Sequence, residues 1–531
     1  MLLKTRLVRL LLATCASSPS SSIRVPAIVP AEASPEIGPD FLGLAFEQAS
    51  FTRYAQDDEG NINAFSTNLM DAIYSRTGGR PIIRLGGTSP DYGKYLPGQT
   101  EPALPVAEQN NYQDIGHTTI GPSYWRLTAN FPGAAYVVQV PLATTNISEA
   151  VAWARSAVDI VGVDRIFALQ PGNEADLYSD TFAGAGGIPL HPPGYQGRLD
   201  NETYVGNWTR YVAAIRDGVP GVPAAGRHFA AFDTAAHFGA DAPANRYVFA
   251  VDRCFGLGID AGGVVKEVAG HYYQGQAGTA ATLGSRLMNL TLTHAQLDQF
   301  RVRIDWLRAN KPEVPFVLSE VGNSLQPTNT YEYQARLGSA LWQVDFYLYS
   351  MAIGVWRINY QQIMHAGYNL WLPVASAGMP AQVFSNYYSQ PLLADFIERQ
   401  GRSGKTRVSQ LPVDASNVAA YVAYEDGEPR RVAAVNMNYW NRTSSTGPRG
   451  GVRLRLEVPD GVARLAVYHL NSPLGAGAAA DSITYGGSQW TYGSLGREVK
   501  NVRRDTETVA VVDGAADVTV ASSEAVLVWL Q

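Results

Sequence analysis

The stretch "NISEAVAWARSAVDIVGVDRIFALQPGNE", residues 146–174, changes its apolar period halfway along. Ile147, Val151, Ala154, Val158 and Val161 recur at helical spacing behind an Asn146-x-x-Glu149 start, which predicts an amphipathic helix. After the turn, "RIFALQPGNE" (165–174) has no such period: a short apolar run ends in Pro-Gly, the pattern of a buried strand, and delivers Asn173 and Glu174 at its end. With Asn146 as helix cap, its side-chain oxygen would accept backbone N–H groups, which discounts it as a glycan acceptor.

Outward from this unit the same alternation repeats. Strand-like runs stand at "FLGLAFE" (41–47), "PIIRLGG" (81–87), "AYVVQVP" (135–141), "RIFALQPGNE", "HFAAFDTA" (228–235), "VAGHYYQ" (268–274), "PFVLSEVG" (315–322) and "GVWRINYQ" (354–361), mostly separated by helical segments. Eight such runs predict an α/β fold, a (β/α)8 TIM barrel over residues 38–400. From about residue 405 strands follow one another without helices, with Gly, Pro and Asp in the turns. A C-terminal β-sandwich over 401–531 is expected, to which "SIRVPAIVP" in the segment 21–37 adds a strand.

The totals exclude several classes. The 531 residues carry a net charge of −6 with no concentration of Lys or Arg, so nucleic acid is excluded as a partner. No run approaches the ~18 apolar residues of a membrane span. Residues 1–20, with Lys4 and Arg6 before an apolar stretch broken by Arg9, fit a signal peptide, and hence a secreted protein. Sequons at Asn146, Asn201, Asn207, Asn289 and Asn441 agree with that. Cys15 falls in the leader, leaving Cys254 alone, so no disulfide is expected in a mature form.

In a barrel the chemistry sits at the C-terminal strand ends, and that is where Glu174 (fourth strand) and Glu320 (seventh) fall. Two carboxyls about 5 to 5.5 Å apart are the requirement of a retaining glycosidase: one protonated to donate to the leaving oxygen, one ionised to attack the anomeric carbon. Mutual repulsion favours keeping one of them protonated. Asn173 is a neutral donor for the sugar 2-OH. Other strand ends carry Glu47, Thr88, Asp91, His271, Tyr272, Gly367 and Tyr368, each either a wall of a sugar pocket or an anchor for its own loop. No His/Cys/Asp cluster has metal-ligand spacing and no loop has phosphate-binding form, so neither metal nor cofactor is expected.

At these residues the chain resembles glycoside hydrolase family 79, which holds β-glucuronidases and heparanase. "GLAFE", "RLGGTSPD", "QPGNEADLY", "GHYYQG", "FVLSEVGNS" and "HAGYNLWLP" resemble its barrel motifs in order, over nearly everything after residue 25. The resemblance implies Glu174 as acid/base, Glu320 as nucleophile, and Asn173, Glu47, Thr88 and Tyr272 as sugar ligands. It further implies a uronate carboxylate held by Gly367, Tyr368 and the loop with Gly322 and Asn323, without an Arg clamp. The chain departs from heparanase in lacking a basic surface, which points to a small glucuronide, with or without a 4-O-methyl group, cleaved in exo fashion. Competing expectations are an arabinofuranosidase or β-xylosidase with the same carboxylates, and a non-catalytic sugar-binding protein.

Overall fold

The computed structural model describes residues 20–91, 93–105, 118–178, 196–223, 225–235, 249–275, 283–324, 335–364, 369–376, 378–398 and 405–531. Eight strands, β1 (Leu42–Glu47), β2 (Ile82–Gly86), β3 (Ala135–Val140), β4 (Ile166–Pro171), β5 (Phe229–Thr234), β6 (Val265–Gly275), β7 (Phe316–Ser324) and β8 (Ile358–Gln362), close into a barrel. Each runs parallel to its neighbour, and β8 closes on β1 with Ile358 opposite Leu42. All eight strand-like runs of the sequence are therefore barrel strands.

Helices return the chain outside the barrel, among them Ala64–Thr77, Ile147–Val161, Asn201–Gly218 and Leu337–Ile353. Their ends follow from local chemistry. Asn63 accepts from Ser66 N–H at 3.0 Å and Gly78 (φ 67°) ends that helix, while Asp200 and Thr203 form a reciprocal capping box on the next but one. Asn146 departs from expectation. It occupies the N-cap position of Ile147–Val161, but its Oδ1 accepts from Ser148 Oγ (2.6 Å), not from the helix backbone, and the residue is exposed. The argument against a glycan there is thus removed: a hydroxyl two residues on competes for the cap oxygen.

The C-terminal region is two facing sheets. Thr406–Leu411, Val418–Glu425, Glu428–Asn436, Glu524–Leu530, Arg464–Asn471 and Thr484–Tyr485 are ordered across one, with Thr506–Ala510 on Arg464–Asn471. Ser20–Arg24, Gly451–Glu457 and Ala515–Ala521 make the other, with Ser20–Arg24 parallel to Gly451–Glu457. Val418–Glu425 is buried along its whole length. Ala420, Val422 and Tyr424 face the sandwich core, whereas Tyr421 and Ala423 belong to the core shared with the barrel. A strand covered on both faces needs apolar residues at every position, the reason "VAAYVAYE" lacks alternation. Leu337–Ile353 lies in the same shared core, and Tyr421 O–H donates to Asp345 on it at 2.6 Å. Residues 1–19, which include the expected leader and Cys15, lie outside the described residues; Cys254 is buried and in no disulfide. No helix among the described residues is long and apolar enough to cross a membrane.

Candidate active site

Strand β4 is followed by Gly172, whose φ of 89° turns the chain so that Asn173 and Glu174 stand over the barrel mouth. Glu174 itself is left-handed (φ 47°), and its N–H donates to the carbonyl of Asp233 at 2.9 Å. On β7 the register against β6 slips, Leu318 pairing with Gly270 but Glu320 with His271. This bulge turns both Ser319 and Glu320 inward. Ser319 Oγ donates to Asp233, and Glu320 Oε2 accepts from Arg84 Nη1 at 2.6 Å.

One imidazole reads the separation of the carboxylates. His271 Nδ1 is 2.9 Å from Glu174 Oε1 and 3.9 Å from Glu320 Oε2. Those two oxygens are no further apart than the sum of these distances, which admits the about 5–5.5 Å of retaining glycosidases and reaches only the short end of the about 6.5–9.5 Å of inverting ones.

Beneath the carboxylates lies a buried polar cluster. Arg84, inside the barrel on β2, also donates through Nη2 to Asn173 Oδ1 and Asp233 Oδ2, both at 2.6 Å, and to Gln139 Oε1 at 3.2 Å. It needs Gly86 above it: a Cβ there would sit 2.7 Å from the guanidinium carbon and 2.6 Å from Gln139 Oε1. Tyr273 O–H donates to Glu320 Oε1 and Gln170 donates to Asp233. His271 Nε2 lies 2.9 Å from Asp233 Oδ1. Burial works against its charge, but Asp233 and Glu320 prevail and raise its pKa to about 10. Burial would raise Asp233, but Arg84 and His271 hold it at about 2.

The remaining expected residues divide. Glu47 ends β1, fully buried, and accepts from Ser89 Oγ and from Ser50 N–H (3.2 Å); burial raises it to about 7. Thr88 is exposed at the start of the short helix Thr88–Asp91, and its neighbour Ser89 makes the contact with Glu47. Asp91 is a loop anchor: it accepts from Leu142 N–H (3.0 Å) and from Tyr178 O–H, tying the ends of β2, β3 and β4 together, and burial raises it to about 7. Tyr272 is a correction. Side chains alternate along β6, so His271 and Tyr273 face the site, while Tyr272 packs outside the barrel against Phe346 and donates to Gln274 (2.6 Å). Gly322 pairs in register with Tyr273, and Asn323 is buried and donates to Ser339 Oγ at 2.8 Å. Gly367 and Tyr368 lie outside the described residues, as does most of the loop after β4.

Arg84, Asp233 and Tyr273 escaped the sequence reading. A charged residue inside each of two apolar runs, "PIIRLGG" and "HFAAFDTA", was the available sign, since neither would be buried without a partner. Tyr273 follows from period two once His271 points inward. Among the described residues no three His, Cys, Asp or Glu side chains are disposed to hold a metal ion.

Two carboxylates from strands four and seven, brought to one imidazole at the mouth of a (β/α)8 barrel, define a glycoside hydrolase. Residues 420–527 match the glycosyl hydrolase family 79 C-terminal beta domain. The chain is 25% identical to a β-glucuronidase of Neurospora crassa, over 90% of each chain. It is 26% identical to a β-glucuronidase of Aspergillus niger, over 80% of this chain and 76% of that one. A solved structure of 4-O-α-L-rhamnosyl-β-D-glucuronidase from Fusarium oxysporum, in complex with Rha-GlcA, shares the fold at 18% identity with a TM-score of 0.76, over 96% of this chain and 100% of that one. The chain is thus similar to β-glucuronidases along most of its length and to glycoside hydrolase family 79 in its C-terminal domain.

Proposed function

We propose that the protein is a retaining, exo-acting β-glucuronidase that releases terminal β-linked glucuronic acid, 4-O-methylated or not, from glycans or glycoconjugates. The observation that carries the mechanism is the shared hold of His271 on Glu174 and Glu320. The two relatives named β-glucuronidase support the substrate class.

Glu320, paired with Arg84 and accepting from Tyr273, attacks the anomeric carbon. Glu174, with 20% of its side chain exposed, protonates the leaving oxygen and then takes a proton from the attacking water. The N–H of charged His271 donates to Glu174 Oε1, so the transferable proton resides on Oε2. Asn173, with its oxygen engaged by Arg84, offers its NH2 to the 2-OH. Net negative charge and long connections after β2 and β4 support exo action, since an endo-acting cleft on an acidic polymer needs cationic subsites.

NMR of the first product released from nitrophenyl β-glucuronide tests the mechanism: the β anomer is expected, and an α anomer or substantial activity in Glu320→Gln contradicts it. Comparison with nitrophenyl xyloside and arabinofuranoside tests the substrate class, which preference for either neutral sugar would overturn. The leader supports export, tested by sequencing the N-terminus of protein recovered from culture medium.

A further inference from the structure

The end of β5 is bent as sharply as the end of β4. Phe232 and Asp233 are both left-handed, with φ of 77° and 43°, a strained conformation for a non-glycine residue that persists only where surrounding contacts dictate it. Those contacts are present. The Phe232 N–H donates to the Tyr204 hydroxyl (2.7 Å), and the Asp233 carbonyl accepts the Glu174 N–H (2.9 Å). The bend thus turns the Asp233 side chain into the barrel while its backbone grips the equally strained Glu174.

Every element around Asp233 presents a partner to it. β2 supplies Arg84, β4 supplies Gln170, β6 supplies His271, and β7 supplies Ser319, with Glu320 next along. Glu174 and Asp176 follow on the β4 loop, Asp176 accepting the Ala235 N–H (3.0 Å), and Arg303 reaches Thr234 Oγ1 (2.7 Å). Asp233, 1% exposed, lies within 2.9 Å of both cations of the cluster, whereas Glu320 is as close to Arg84 but 3.9 Å from His271.

We propose that Asp233 is the positioning residue of the acid/base: its carboxylate keeps His271 charged against Glu174 and Arg84 aimed at Glu320, while its backbone carbonyl sets the Glu174 turn. The inference rests on the glycosidase reading for its consequence in turnover, but not for its electrostatics. Without the anion, His271 loses the carboxylate 2.9 Å from Nε2 and holds its proton less tightly, and Arg84 keeps Glu320 as its buried ion-pair partner.

The test is Asp233→Asn, which keeps the side-chain volume. In histidine-labelled wild type, NMR titration is expected to show the His271 ring holding its proton beyond about pH 9. In the variant its midpoint falls by about two units or more, kcat on nitrophenyl β-glucuronide drops about 100-fold with KM within about threefold, and the kcat–pH profile gains an ionisation at the same midpoint. Titration of wild-type His271 near the ordinary imidazole value overturns the proposal, even if the variant does not fold. So does a variant whose His271 midpoint is unmoved. Absence of any glycosidase activity in wild type would remove the proposed function instead, and the titration would still decide the role of Asp233.

Discussion

Tyr273 and Arg84 share Glu320, one on each carboxylate oxygen. A hydrogen bond to a charged acceptor contributes about 1.5–3 kcal/mol, and this one orients the attacking oxygen as well. Tyr273→Phe is therefore expected to lower kcat/KM by about 10- to 100-fold without lowering the melting temperature appreciably. Steady-state kinetics beside a thermal melt check this, and an unchanged kcat/KM would show that Arg84 suffices. Glu174→Ala should act selectively, since nitrophenolate leaves with little protonation: the loss on an alkyl glucuronide should far exceed the loss on the nitrophenyl one. Equal losses would mean that Glu174 positions the sugar and does not donate the proton.

Among the elements, Ser20–Arg24 has the most to do for its length. Its five residues complete the smaller sheet beside Gly451–Glu457, and Ile23, 1% exposed, inserts into the sandwich core with Leu454, Leu456 and Val518. Ile23→Ala removes three buried carbons and leaves a cavity, so a loss of about 2 kcal/mol or more in stability is expected from denaturant unfolding. A loss under about 0.5 kcal/mol would mean that the sheet stands without this strand. Further along, Ile37 forms an isolated bridge with Thr406 as the chain passes from the sandwich into β1.

For the whole molecule, buried titratable groups set the pH range of stability. Asp233 is held lower when folded than when unfolded, so its contribution is present above about pH 4 and lost as pH falls toward about 2. His271 is raised, so its contribution is present below about pH 6.5 and lost as pH rises toward about 10. Glu47, Asp91 and Asp176 are each raised to about 7, chiefly by burial, and favour the folded state below about pH 4, losing that preference as pH rises through about 7. Four of the five act in the same sense. The melting temperature should peak in the acid range, near pH 4 to 5, and decline through pH 8. A profile flat from pH 5 to 9 would contradict the burial argument.

The amino-acid sequence by itself determined the barrel, because eight apolar runs separated by 3.6-period segments bury their apolar faces in few other ways, and it determined which two glutamates stand at strand ends. It could not decide what lies beneath them. Arg84 and Asp233 read as lone charges in apolar runs 149 residues apart, and only barrel closure makes them partners. The choice of Tyr273 over Tyr272 depends on which side chain of β6 faces inward, and the inward turn of Glu320 and Asp233 on bulges that no local pattern announces. Asn146 likewise occupies a cap position without capping, since Ser148 engages its oxygen. Periodicity is a property of neighbours along the chain, whereas charge pairing across a barrel arises between strands that the chain brings together only on folding.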